Sequence, residues 1–169
     1  MNIIETERLL IRQLNIDDAS FIFKLVNDPD CLKYIGDKGI HSVEDAKTYI
    51  KNGPMKSYKD FGFGLYLTLL KEENIPIGIC GILKRDTLEH PDIGFAIMPE
   101  FRKKGYILEA GNAVLIHAKK DFGIKKVLAI TQPDNKDSIN TLKALKLKFE
   151  EMVHLSQDAQ ELMLFSIEL

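Results

Sequence analysis

The sequence predicts an α+β domain, a central mixed and mostly antiparallel sheet of about seven strands flanked by about four helices. Three observations carry this prediction. The chain has 169 residues, 45% of them hydrophobic, which fits a single globular domain over residues 1–169. In its middle part apolar residues alternate with a period of two, which is typical of strands. On either side they recur at steps of three or four, which is typical of helices.

The first third of the chain predicts one strand and two helices. Apolar residues within 6–14 indicate a strand, and the helical spacing over 19–26 is ended by Pro29, because proline cannot continue a helix. A second helix is expected over 42–50, before the breaker at Pro54.

The middle third predicts an antiparallel meander. Strands are expected over 61–69, 77–83 and 92–98, with a hairpin loop at 71–74 and a stop at Pro99. Short connections join these segments, and short connections favour antiparallel pairing.

The last third predicts a parallel crossover. A long helix over 107–122 separates the 92–98 strand from a compact apolar strand over 127–131, so those two strands should lie parallel. The remaining elements are expected to be a helix over 136–146 and a final strand pair over 149–154 and 162–169.

Composition excludes several classes of function. A net charge of −2 and a pI near 6.1 argue against a nucleic-acid partner. Two cysteines, Cys31 and Cys80, predict buried reduced thiols, and the four histidines lack metal-ligand spacing, so no metal is expected. No apolar run approaches the ~20 residues of a membrane span, and no signal sequence is recognisable. We therefore expect a cytoplasmic protein without a membrane partner.

One segment has the properties of an anion site. Arg102, Lys103, Lys104 and Gly105 lie between the end of a strand and the start of the long helix. Free backbone amides and the positive end of the helix dipole attract anions at such a position, and a phosphorylated ligand would fit. The alternative is a solvated basic turn. The standard glycine-rich nucleotide motifs are missing.

The residues around this segment resemble a known family. The sequence PEFRKKGY at 99–106, followed by Glu109-Ala110, resembles motif A of the GNAT superfamily of acetyl-CoA-dependent N-acetyltransferases. The similarity is greatest to the RimJ/RimL branch, the ribosomal-protein N-terminal acetyltransferases. Further matches, in the order of that branch, are TERLLIR at 6–12, NDP at 27–29, IGF at 93–95 and NKDS at 135–138.

The resemblance implies a GNAT fold whose two parallel strands splay apart to admit acetyl-CoA. In such a site a strand edge pairs with the pantetheine arm, amides at the helix start hold the pyrophosphate, and the Asn-x-x-Ser motif lies near the arm and the sulfur. The cofactor-binding residues implied are Ile97, Met98, Arg102, Lys103, Lys104, Gly105, Tyr106, Ile107, Asn135 and Ser138. Either Asn135 or Ser138 should also cap the following helix.

The chain departs from the family pattern at three positions. Ile107 stands where the family has Gly or Ala, and Lys146 replaces the usual glycine of a late turn. Leu142 occupies the position of the tyrosine that, in many GNAT enzymes, reprotonates the coenzyme A thiolate. In the RimL-like branch a serine is the proposed donor, so Ser138 is the candidate catalytic residue.

The chemistry implied is direct attack of a neutral amine on the thioester in a ternary complex, with an N–H of the 97–98 strand end stabilising the oxyanion. Asp92 and His90 are options for a base, but they are expected to be solvated turn residues. Glu109 is expected to have a structural role.

The leading hypothesis is an enzyme, an N-acetyltransferase acting on a primary amine of a protein N-terminus or a small molecule. The alternative is a non-catalytic acyl-CoA-binding or sensor protein on the same fold, and a longer acyl chain is a third possibility. Residues 28–58, with Tyr34, His41, Tyr49 and Tyr58, are expected to cover the acceptor side. A monomer or a homodimer is expected.

Overall fold

The computed structural model describes residues 2–169 and contains one continuous eight-stranded sheet. The strands are β1 (Asn2–Glu5), β2 (Leu9–Gln13), β3 (Leu65–Leu70), β4 (Ile75–Leu83), β5 (Asp92–Ile97), β6 (Lys126–Thr131), β7 (Lys148–Val153) and β8 (Leu162–Glu168). Their order in the sheet is β1-β2-β3-β4-β5-β6-β8-β7. Only β5 and β6 are parallel among the neighbouring pairs of residues 2–169, so the expected crossover is confirmed.

Six α-helices lie within the described residues. They are α1 (Ala19–Val26), α2 (Pro29–Tyr34), α3 (Val43–Asn52), α4 (Pro54–Phe61), α5 (Tyr106–Phe122) and α6 (Lys136–Ala144). Two 3₁₀ turns cover Ile16–Asp18 and Pro99–Phe101. The mixed, mostly antiparallel fold class is therefore confirmed.

The structure has two more helices and one more strand than the sequence predicted, and prolines account for the two additional helices. Pro29 and Pro54 each end one helix, but each also occupies the first turn of the next, α2 and α4. Proline is tolerated there because the amide it lacks would have no partner in any case. The strand expected from Phe61 begins only at Leu65, because Phe61 belongs to α4. The unpredicted strand is β1.

The sheet separates two hydrophobic clusters. Tyr66 and Leu67, neighbours on β3, are both buried and belong to different clusters, as the pleat requires. α5 packs in the first cluster, whereas α1 and α3 pack in the second. Both faces of the central strands are thus covered, and this holds β5 rigidly at the middle of the sheet.

The sheet opens between β5 and β6. These two strands form one register pair, Asp92 with Leu128, and share no pair further along. Beyond Asp92 the edge of β5 that faces β6 therefore has no strand partner. The splayed strands implied by the resemblance are present in the structure.

The turn after α6 offers a test of local strain. Lys146 has a φ of 74°, while its amide and that of Leu147 bond back to the Lys143 and Leu142 carbonyls at 2.9 and 3.0 Å. This is a Schellman turn, whose left-handed residue is usually glycine.

We expect Lys146→Gly to raise the free energy of unfolding by about 0.5–1 kcal/mol, because glycine has no Cβ to strain at this φ. The melting temperature should rise by about 1–4 °C. Lys143→Gly, inside α6, is the matched control and should lower stability by up to about 1 kcal/mol. Thermal denaturation of both variants measures these changes. A lower melting temperature for Lys146→Gly would show that the left-handed backbone at Lys146 is not strained.

Candidate active site

The gap between β5 and β6 is part of a cleft of about 1060 Å³. Its walls include the divergent strands, the segment before α5, the start of α6 and the loop between β7 and β8. Helices α2, α3 and α4 line its far side. The strand rise of about 3.3 Å per residue places the two ends of β5 about 16 Å apart, so the cleft has two well separated ends.

One end of the cleft is a cradle of backbone amides. The six amides of residues 103–108 donate to no acceptor within residues 2–169, and the first helical bond is from the Glu109 amide to the Gly105 carbonyl at 3.0 Å. Lys103 and Gly105 both have left-handed backbones, with φ of 60° and 81°. Such a turn makes successive amides converge on one point, and the start of α5 adds its dipole. This geometry can hold a phosphate or diphosphate.

Residues of the connection between β1 and β2 hold this cradle in place. Glu109 accepts hydrogen bonds from the Thr6 hydroxyl at 2.6 Å, the Arg8 amide at 2.9 Å and Arg8 Nε at 2.7 Å. Burial opposes ionisation of Glu109, but these hydrogen bonds outweigh it and lower its pKa. Arg8 Nη1 in turn donates to the Lys104 carbonyl at 2.9 Å. Glu109 therefore has the structural role expected of it.

Arg102 joins the cradle to helix α2. Its Nη2 lies 2.8 Å from Asp28 Oδ2 and 3.3 Å from the Ile97 carbonyl oxygen, and its Nη1 donates to Asp30. The guanidinium therefore binds α2 with its capping residue, and the end of β5. The cofactor contact predicted for Arg102 stays a prediction, whereas its positioning function is visible.

The two lysines of the motif differ in placement. Lys103 lines the cleft, while the Lys104 ammonium lies 5.9 Å from the centre of the Phe101 ring and does not line it. Gly105, Tyr106 and Ile107 line the cleft with Lys103. The bulky Ile107 side chain is only partly buried.

The structure separates Ile97 from Met98. The Met98 amide donates to the Ile77 carbonyl at 2.8 Å, its carbonyl accepts from the Phe101 amide at 3.0 Å, and its side chain is buried. Met98 is therefore not brought to the cleft, which corrects the placement expected for it. Because successive residues of a strand alternate, the amide of Ile97 points away from β4 into the gap.

The start of α6 lies across the gap from β5. The Asn135 side chain accepts from the Ser138 amide at 3.2 Å, so Asn135 is the helix cap that one of the two was expected to be. Both residues line the cleft, and the Ser138 hydroxyl has no hydrogen-bond partner within residues 2–169. Leu142 is 1% exposed and apolar, so it cannot move a proton.

A buried ion pair occupies the other end of β5. Asp92 has a side chain 1% exposed, and Arg85 Nε lies 3.0 and 3.1 Å from its two carboxylate oxygens. Burial raises the pKa of Asp92, against the opposing effect of Arg85. The expectation of a solvated turn residue is wrong for Asp92, because the β4–β5 loop folds Arg85 over it. Sequence reasoning missed Arg85, whose only signal is its position in a loop beside Asp92. His90 does not line the cleft.

The far wall of the cleft carries two of the expected tyrosines. Of the acceptor-side residues expected from the sequence, Tyr34 and Tyr49 line the cleft, whereas His41 and Tyr58 do not. The Tyr58 hydroxyl instead accepts from the Leu14 amide at 3.0 Å and donates to the Leu65 carbonyl. Lys38, which sequence reasoning also missed, lines the cleft with Arg85.

The fold and the site together define a mixed sheet that opens beside a cluster of free backbone amides. Comparison with known families identifies the class, because the acetyltransferase (GNAT) domain matches residues 8–148. The chain belongs to the GNAT family and is an N-acetyltransferase, an acyltransferase. The enzyme hypothesis is thereby confirmed at this level.

Individual relatives agree with this assignment. The chain is 28% identical over 147 residues to the uncharacterized N-acetyltransferase YnaD of Bacillus subtilis (87% of this chain, 83% of the relative). A GNAT-family acetyltransferase structure from Bacillus anthracis superposes with a TM-score of 0.81 at 24% identity, covering 98% and 97% of the two chains. The RimL acetyltransferase of ribosomal L7/L12, solved with coenzyme A, superposes with a TM-score of 0.85 at 14% identity, covering 100% and 98%.

No helix within residues 2–169 combines the length and apolar character of a membrane span. Nor does that part of the chain bring together three or more histidine, cysteine or acidic side chains around a common metal position.

Proposed function

We propose that this protein transfers the acetyl group of acetyl-CoA to a primary amine by direct attack in a ternary complex. The observation that carries the proposal is the cradle of six unpartnered amides beside an unpaired edge of β5. A diphosphate fits the amides, and an extended amide-bearing arm fits a strand edge, as in β-augmentation. Coenzyme A has both groups, and acetyl-CoA supplies the activated acetyl group.

The residues of this chain have distinct functions in the proposal. The amides of Lys103, Lys104, Gly105, Tyr106 and Ile107 hold the diphosphate. The amide of Ile97 faces the gap and can bond an oxygen of the ligand, while Asn135 contacts the arm from the other wall. The amine enters from the end at Asp92, so the two substrates meet between the ends of β5.

Ser138 is the proposed proton donor to the departing thiolate, because its hydroxyl lines the cleft without a partner and Leu142 cannot serve. We expect Ser138→Ala to lower kcat about 100-fold and to leave acetyl-CoA affinity within about threefold. Thr141→Val, one turn further along α6, removes a hydroxyl that bonds the Asp137 carbonyl at 2.9 Å and is the matched control.

Two measurements test the proposal as a whole. Calorimetry should show acetyl-CoA binding, and thiol release should follow when a panel of primary amines is added. Absence of acetyl-CoA binding at millimolar concentration would overturn the function. Equal kcat values for Ser138→Ala and the unaltered enzyme would remove only the assignment of the proton donor.

A further inference from the structure

Three hydrogen-bond donors without acceptors meet at the Asp92 end of the cleft. The Lys38 ammonium and the Tyr49 hydroxyl make no hydrogen bond or ion pair within residues 2–169, and both side chains line the cleft. Arg85 lines it as well and uses only its Nε in the described part of the chain. Its two terminal NH₂ groups have no hydrogen-bond acceptor in that part of the chain. All three groups are therefore available to an acceptor that enters the cleft.

Asp92 orients the terminal NH₂ groups of Arg85. Both of its oxygens bond to Nε, and its side chain is 1% exposed while that of Arg85 is 38% exposed. The carboxylate is therefore paired within the protein, and the partly exposed Arg85 side chain lines the cleft. Asp92 is a positioning residue, because it acts through Arg85.

Three cationic side chains line this part of the cleft, Lys38, Lys84 and Arg85, against the two carboxylates of Asp86 and Asp92. Loss of hydration in the cleft, and then the nearby Arg85 charge, lower the pKa of Lys38. The other cation of the far wall, Lys56, is paired with Asp60. The Asp86 carboxylate also lines the cleft, but it pairs with neither Lys38 nor Arg85. A bound anion would relieve the repulsion between the two cations and satisfy their donors.

We propose that the acceptor amine carries a carboxylate, which binds between the Lys38 ammonium and the terminal NH₂ groups of Arg85, with the Tyr49 hydroxyl donating to it. This inference rests on the proposed acetyl transfer and specifies its second substrate as an anionic amine. The carboxylate occupies the Asp92 end, and the amine points along β5 toward Ile97. The carboxylate comes either from a free amino acid or from an acidic residue that begins a peptide.

Matched acceptor pairs test the inference and separate these two sources. L-Serine is compared with L-serinamide, and the peptide amide Asp-Ala-Ala with Asn-Ala-Ala, by thiol release from acetyl-CoA. We expect kcat/KM to be at least about tenfold higher for the anionic member of one pair. A preference in the serine pair would identify a free amino acid as the source of the carboxylate, and a preference in the peptide pair would identify an acidic first residue. Thermal shift of the protein saturated with coenzyme A gives a second readout, in which the anionic member should stabilise more.

Charge-altering variants make the test independent of simple loss of activity. Lys38→Met should reduce the preference for the anionic member about tenfold, and Lys38→Glu should reverse it toward the neutral member. Lys51→Met, an exposed lysine of α3 outside the cleft, is the control and should keep the preference. Asp92→Asn should raise KM for the anionic acceptor more than it lowers kcat, because Arg85 loses its orientation.

The outcomes distinguish this inference from the function on which it rests. Equal kcat/KM and equal thermal shifts within both pairs would overturn the anionic acceptor, while turnover of any amine would leave the acetyltransferase standing. An unchanged preference in Lys38→Glu would overturn it too. Absence of acetyl-CoA binding would overturn both.

Discussion

Replacing Ile107 with aspartate is expected to weaken acetyl-CoA binding about 100-fold or more while the protein stays folded. Ile107 is the second residue of α5 and lines the cleft beside the unpartnered amides. Two unit charges ~5 Å apart repel by about 3 kcal/mol at an effective dielectric of ~20, which is about 100-fold in a dissociation constant. The same carboxylate favours the helix, because acidic residues in a first turn stabilise it by about 0.3–1 kcal/mol.

Ile107→Asn is the matched control, since asparagine has nearly the shape of aspartate without the charge. Calorimetric titration with acetyl-CoA should show a small loss for Ile107→Asn and the large loss for Ile107→Asp, with the gap narrowing as salt is added. Thermal denaturation checks that both variants fold. Equal affinities in the two variants would mean that the diphosphate does not bind at the start of α5.

The amide cradle could be predicted from the sequence because its determinants are local. A glycine, an adjacent helix start and basic neighbours all lie within residues 102–107, and local sequence fixes the free amides of a helix start. The crossover of β5, α5 and β6 was predictable for a related reason, because a strand, one helix and a second strand commonly form a parallel crossover. The single residue-level error there concerns Met98. Which of two successive residues faces the gap depends on the register with β4, and sequence period alone does not set that register.

The Asp92 end of the cleft could not be predicted, because contacts between distant segments build it. Lys38 and Arg85 meet across separate loops, and Asp92 is buried only because a loop folds back over it. Nothing in the composition of these segments distinguishes them from solvated turns. The family resemblance did not help, since its motifs describe the cofactor half of the cleft.

Arg102 shows how tertiary structure changes the meaning of a motif residue. The motif predicted a ligand contact, but 74 and 72 positions separate this arginine from the carboxylates of Asp28 and Asp30 that bind it. Asp28 has a side chain 7% exposed and also caps α2, accepting from the Asp30 amide at 3.2 Å. The ion pair therefore joins the loop before α5 to helix α2.

Removing Arg102 should consequently cost more stability than a typical surface charge. In Arg102→Leu the buried Asp28 loses its countercharge and the Ile97 carbonyl loses a donor. Losing one partner of a buried pair costs about 3–5 kcal/mol, and we expect about 2–3 kcal/mol here because the Arg102 side chain is 27% exposed. The melting temperature should fall by about 5–10 °C. Lys104→Leu, an exposed cation two residues away, should change stability by no more than about 0.5–1 kcal/mol.

The double variant Arg102→Leu with Asp28→Asn separates lost attraction from buried charge. Asparagine keeps the cap of α2 and is neutral, so the double variant should recover about 1 kcal/mol relative to Arg102→Leu alone. Chemical denaturation of the two single variants and the double variant gives the coupling directly. Additive losses would show that Arg102 and Asp28 act independently. In that case the guanidinium would be available to the diphosphate, as the motif alone suggests.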